Sequence, residues 1–180
     1  HVLFQPAEEN EAGAKRLVEE GLFSRFQVDA VFGLHNWPGL PAGEMAVHTG
    51  PVMASCDLVE IELVGKGAHA AMPHQGQDTI LAAAQLINGL QSLVARETDP
   101  LDSAVVSITQ IEAGSTWNVM PSRAILRGTV RALREETRAR LERRIGEIAL
   151  GTAQACGLQA MVRYDRRYPS TTNAPAKAEM

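Results

Sequence analysis

Residues 57–65 read DLVEIELVG, and their alternation decides the fold of most of the chain. Val59, Ile61 and Leu63 share one side of an extended backbone, the pattern of a half-buried strand. Moving toward the C-terminus, QDTILAAAQLINGLQSLVARE (residues 77–97) changes to a helical period. Ile80, Ala84, Ile87 and Val94 lie at helical spacing, with Leu86, Leu90 and Leu93 beside them. Ser103–Ile111 is expected to be a second strand, and Arg123–Ala132 a third with Ala124, Leu126, Val130 and Ala132 inward. Glu135–Ala155 is a charged amphipathic helix with Leu141, Ile145 and Ile148 on its apolar stripe, and Leu158–Tyr164 a fourth strand. The order β-α-β-β-α-β is that of the ferredoxin-like split motif, an antiparallel sheet with both helices on one face. Period two then puts Arg123, Arg127, Thr129 and Arg131 on the opposite face, open to solvent, a partner or a substrate.

Toward the N-terminus the pattern differs. Val2–Phe4 is expected to be a short apolar strand, followed by a helix over Glu11–Glu20 with Ala12, Leu17 and Val18 as buried positions and Gly21 at its end. VDAVFGLH (residues 28–35) is a second strand, broken by NWPGLPAG. Strand, helix, strand at this spacing is a βαβ unit with parallel strands. The ends of both strands would share one sheet edge, where open α/β sheets bind ligands. Glu8 and Glu9 follow the first strand and His35 closes the second, so all three should be neighbours. The fold class expected is therefore α/β plus α+β, with the boundary in residues 40 to 55 and TTNAPAKAEM as unfinished structure or a tail.

The bulk numbers narrow the functions. In 180 residues, 45% hydrophobic and 21% charged is the balance of a soluble globular protein. A net charge of -4 argues against a nucleic-acid or anionic-membrane partner. No apolar run approaches the ~20 residues that span a bilayer, and no signal peptide is visible. Cys56 and Cys156 stand outside any metal-binding spacing and read as reduced residues of a cytoplasmic protein. A chain that opens inside an apolar run without an initiator Met is expected to be a piece of something longer.

Three clusters carry candidate chemistry. The adjacent Glu8 and Glu9 are either ordinary helix-start charges facing a positive dipole end or a divided pair. In the second reading one ligates a metal and the other passes a proton from water to a leaving amine. His35 adds an imidazole ligand natural for zinc or manganese. In GKGAHAAMPHQGQD (residues 65–78), Gly65 and Gly67 permit tight turns, and His69 and His74 are either surface residues or hydrogen-bond donors to an oxyanion. Asn118, in GSTWNVMP, is a turn-former or a further polar group of a site.

FQPAEE (residues 4–9), GLHNWPGLPAG (33–43), GKGAHAAMPH (65–74), WNVMPSRAILRGTVR (117–131) and YPSTTNAP (168–175) occur in one order. With these motifs the chain resembles the dinuclear-metal aminoacylase and carboxypeptidase family. It looks closest to the N-acyl-amino-acid amidohydrolase branch that includes hippurate hydrolase and indoleacetyl-amino-acid hydrolase. The resemblance implies a βαβ remnant of a zinc-peptidase-like catalytic domain in residues 1–48. A ferredoxin-like lid and dimerisation domain would follow in 49–166, and a return segment in 167–180. It implies metal-dependent hydrolysis of the amide bond of N-acyl amino acids, with two divalent ions (manganese or zinc) in the intact enzyme and a homodimer formed through the lid.

By the same similarity, Glu8 is the general base and acid, and Glu9 and His35 are metal ligands. His69 reaches the partner subunit's site and, with Asn118, supports the oxyanion. Arg131 binds the substrate carboxylate, which suits the bidentate fork of Arg; His74 has no role assigned. The branch's upstream Cys-x-His segment and its C-terminal ligand His are absent from these 180 residues. This polypeptide alone is therefore expected to bind metal poorly and to be inactive. The alternative function is a non-catalytic dimerisation or substrate-recognition lid.

Overall fold

The computed structural model describes residues 1–8 and 13–179, and the chain divides into two compact units, His1–Val52 with Thr172–Met180, and Met53–Thr171. Along the first unit run α1 (Gly13–Glu19), α2 (Leu22–Arg25) and β1 (Gly50–Met53). The second unit holds β2 (Cys56–Val64), β3 (Ala68–His69), a 3-10 turn (Pro73–Gln75), α3 (Thr79–Ala95), β4 (Ala104–Ala113), β5 (Val119–Met120), β6 (Arg123–Ala132), α4 (Glu135–Ala155) and β7 (Gln159–Tyr168). The chain ends in β8 (Thr171–Asn173), which pairs with β1, and α5 (Pro175–Ala178).

In the second unit four strands form one antiparallel sheet in the order β4-β6-β2-β7. This is the ferredoxin-like arrangement expected from the element order. The alternation that began at Asp57 does its work here. Val59, Ile61 and Leu63 of β2 and Ala124, Leu126, Val130 and Ala132 of β6 are buried on one face. The helices α3 and α4 cover that face with Leu86, Leu90, Leu93, Leu141 and Ile145, each at most 1% exposed. Burying a leucine of this kind contributes about 1.5–3 kcal/mol, so this cluster dominates the unit's stability. Asp78 starts α3, its Oδ1 accepting from the amides of Ile80 (3.0 Å) and Leu81 (2.9 Å).

One charged pair lies within this core. Asp57 begins the same inward row as Val59 and Ile61, and is fully buried. Arg138, on the buried stripe of α4, meets it with two hydrogen bonds. The Tyr164 hydroxyl and the Arg167 amide also donate to Asp57.

Four local expectations need correction. Val2–Phe4 and Val28–His35 form no strand among the described residues, and Phe4 (89% exposed), Phe32 (70%) and Leu34 (88%) are uncovered. A parallel strand is held only by neighbouring strands and by cover on both faces, and neither segment has a ladder partner among the described residues. The helix between them does form, with Leu17 half-buried but Val18 exposed; Ala12 lies outside the described residues. In α3 the packed stripe is Ala82, Ala83, Leu86, Leu90 and Leu93, while Ile80 and Ala84 are exposed and Ile87 and Val94 flank the core. Finally, Gly67 is required by a close approach and not by a turn of unusual sign. A Cβ there would stand 2.9 Å from the Met120 carbonyl oxygen.

Candidate active site

Two segments some fifty residues apart in sequence meet in a two-stranded ladder of the second unit. Strand β3 pairs with β5, Ala68 opposite Met120 and His69 opposite Val119. The Ala70 amide donates to the Asn118 carbonyl at 2.9 Å, extending the ladder by one residue. His69 and Asn118 are thereby neighbours. Both are exposed, as binding groups must be.

The ends of both side chains are oriented. The Ala71 amide donates to His69 Nδ1 at 3.1 Å, so the neutral ring carries its proton on Nε2. The Thr116 hydroxyl donates to Asn118 Oδ1 at 3.1 Å, which leaves the Nδ2 amide as the group offered outward. Each residue presents an N–H donor, the kind of group that holds a carbonyl oxygen as it gains negative charge. His74 sits apart from this ladder, in the 3-10 turn.

The open face of the sheet carries the arginine row. Arg127 donates to Glu60 (2.6 Å), Glu112 (3.1 Å) and Gln110 (3.3 Å). These carboxylates hold its proton more tightly, with the Glu60 hydrogen bond the main cause. Arg123 is bonded to Glu62 in the same way. Arg131, exposed at the end of the row, makes no side-chain ion pair or hydrogen bond among the described residues. Of the three it is the one with a vacant fork, the condition for binding a ligand carboxylate.

In the first unit, Glu8 is exposed and follows Ala7, whose φ of +48° is left-handed for a residue with a side chain. Such strain costs on the order of 1–3 kcal/mol and clusters at functional sites. The start of α1 is pressed against this segment: Gly13 is buried, and any Cβ on it would collide with the Pro6 carbonyl. Glu9 lies outside the described residues. His35 is exposed, its Nδ1 2.6 Å from the Asn36 carbonyl and its ring edge-on to Trp37.

A carbonyl only accepts, so Nδ1 bears a proton, and in the neutral ring Nε2 keeps its lone pair. Ligating histidines are prepared in this way. An imidazole nitrogen is a donor suited to zinc or manganese. Among the described residues no group of three or more His, Cys, Asp or Glu side chains is placed to hold an ion. Elsewhere, a groove between α3 and β4 is lined by Val94, Thr98, Asp99 and Val105, and none of the candidate residues borders it. No helix among the described residues is long and apolar enough to cross a membrane.

Among known proteins, the chain is 45% identical over 171 residues to N-acetylcysteine deacetylase of Bacillus subtilis, covering 95% of this chain and 44% of that protein. It is 42% identical over 173 residues to hippurate hydrolase of Campylobacter jejuni, covering 96% and 45%. The chain thus spans under half the length of these curated relatives. A crystal structure from B. subtilis, described as a dinuclear metal-binding peptidase of the M20 family, superposes with a TM-score of 0.78 at 39% identity, covering 98% of this chain and 43% of that one. Residues 1–178 match the model of peptidase family M20/M25/M40, and the chain belongs to that family.

Proposed function

We propose that this chain is the lid and part of the metal centre of a hydrolase that cleaves the amide bond of N-acyl amino acids. The observation that carries the reading is that one short ladder holds His69 on one strand and Asn118 at the start of the other, each with an N–H end free. Relatives named for deacetylation and for hippurate hydrolysis support the substrate class.

In this mechanism residues 1–48 belong to the catalytic domain, 49–166 to the lid, and 167–180 return to the catalytic side. Glu9 and His35 would hold divalent ions, two in the intact enzyme, manganese or zinc; a metal there supplies Lewis acidity to the scissile carbonyl and to water. Glu8 accepts the proton that water loses on attack and returns it to the departing amine, so one carboxylate serves as base and then acid. Nε2–H of His69 and Nδ2–H of Asn118 donate to the carbonyl oxygen as its charge grows. Arg131 holds the substrate carboxylate and fixes the acyl group's position relative to those donors.

The lid makes a homodimer in which His69 serves the partner's site. Two free thiols, Cys56 and Cys156, suit a reducing cytoplasm. The test is turnover by the intact protein of a panel of N-acyl amino acids with added manganese or zinc. Cleavage that requires the free carboxylate of the substrate is expected. Absence of cleavage across the panel, with carboxylate ligands still bound, would instead favour a recognition lid without chemistry.

A further inference from the structure

We infer that Thr116 is a positioning residue, acting through Asn118. The inference rests on the reading of Asn118 as an oxyanion donor.

A primary amide is two-faced, with one end accepting and the other donating. Turned the wrong way, Asn118 would set an oxygen lone pair against a developing negative charge and oppose the reaction. Asn118 is exposed on a turn ahead of β5, so packing does not select its orientation. In the structure the Thr116 hydroxyl donates to Oδ1 at 3.1 Å and ties down the accepting end. The backbone at Asn118 is held separately, since its carbonyl accepts from Ala70 at 2.9 Å. With main chain and Oδ1 both anchored, the Nδ2 hydrogens are what remains for a ligand.

His69, on the facing strand, is prepared by the same logic. There a backbone amide, that of Ala71, occupies Nδ1 and leaves Nε2–H outward. The two donors of the pair are thus each aimed by one hydrogen bond from two residues away. One of these bonds comes from a side chain that mutation can remove. Thr116 itself touches no substrate in this scheme; its whole effect is on which end of the amide is presented.

The experiment is steady-state kinetics of the intact protein, with its metals, on the best N-acyl amino acid from the panel. The variants are Thr116→Val, Thr116→Ser, Asn118→Ala and the Thr116→Val/Asn118→Ala double variant. Losing one orienting hydrogen bond should lower kcat about fivefold in Thr116→Val. KM should be unchanged, because the substrate carboxylate is held elsewhere. Thr116→Ser keeps a hydroxyl and should restore kcat to wild type. In the Asn118→Ala background, Thr116→Val should have no further effect, since there is no amide left to aim.

A Thr116→Val variant with full kcat while Asn118→Ala is impaired would overturn the inference and leave the Asn118 reading standing. So would losses that multiply independently in the double variant, or a serine variant as poor as valine. If Asn118→Ala itself keeps full kcat, the oxyanion reading falls first and takes the inference with it. Thr116 is exposed, and thermal unfolding of each variant within about 2 °C of wild type separates positioning from loss of fold.

Discussion

Arg138 grips Asp57 with both arms of its fork, Nε to Oδ2 at 2.8 Å and Nη2 to Oδ1 at 2.6 Å, and the two side chains are only 7% and 0% exposed. The pair joins the first strand of the sheet to the second helix. The Asp57 hydrogen bonds, outweighing the effect of burial, hold the Arg138 guanidinium charged well beyond its ordinary range. Tyr164 OH at 2.9 Å and the Arg167 amide at 3.2 Å satisfy the remaining carboxylate lone pairs, tying in β7. Burial pushes the Tyr164 phenol up, and the Asp57 charge adds to it, so it stays a donor.

Breaking a buried pair from one side strands a charge, at about 3–5 kcal/mol. Asp57→Ala is therefore expected to destabilise the intact protein by about that much in urea unfolding. Replacing both partners with apolar residues, as in Asp57→Leu/Arg138→Met, should cost far less. A single variant that costs no more than the double would show that no charge had been stranded.

Most of this unit was legible in sequence, because burial on one face leaves a period. The bounds of β6 and α4 were read to the residue, and the inward row of β2 was correct. The Asp57–Arg138 pair was missed although its signal was present. Asp57 continues the 59–61–63 row and Arg138 precedes Leu141 and Ile145 on one helix stripe, so each charge sat at an apolar position. The ladder of His69 and Asn118 gave no periodic signal, since two residues per strand are too few to repeat. Their proximity came only through the resemblance to known sequences. The strands expected at Val2–Phe4 and Val28–His35 failed for the opposite reason. An apolar run reports that a segment wants cover, but not that a neighbouring strand is there to give it.

Acid should weaken the second unit through Asp102, whose side chain is only 5% exposed. The Thr137 hydroxyl, aided by the Ser103 amide and the Arg134 charge and opposed by burial, holds its carboxyl below the ordinary value of 3.8. A depressed folded-state pKa means that the unfolded chain takes up the proton first as pH falls. The contribution of Asp102 is then complete above its ordinary value and is lost as pH drops through the folded one. Unfolding free energy measured from pH 5 down to pH 2 should fall less steeply below about pH 4 in Thr137→Val than in wild type. Parallel curves would exclude this bond as the cause.

Arg131 should govern substrate affinity and its strand neighbours should not. Arg127 and Arg123 are already committed to Glu60 and Glu62 on the same face. Arg131→Ala is expected to raise KM of the intact enzyme for an N-acyl amino acid by about tenfold to a hundredfold, with a smaller change in kcat. Arg131→Lys should recover only part of it, because a point charge cannot replace a bidentate fork. Arg127→Ala should leave KM near wild type. Equal effects from Arg127 and Arg131 would point to a diffuse positive field and not to a carboxylate site.

Glu8 and Glu9 should separate cleanly, one in chemistry and the other in metal binding. In the intact protein, Glu9→Ala is expected to abolish tight binding of manganese or zinc by titration calorimetry, and activity with it. Glu8→Gln should still bind metal but lose about 10²- to 10⁴-fold in kcat, the usual worth of a positioned acid–base group. Chelation should silence the wild type, and added metal should restore it but not rescue Glu8→Gln. The contrast matters because both residues would be lost alike if they were only helix-start charges. That reading predicts a change of a few tenths to about 1 kcal/mol in stability from either, with metal affinity and kcat untouched. Binding and turnover measured on the same two variants therefore tell a divided catalytic pair from two ordinary surface carboxylates.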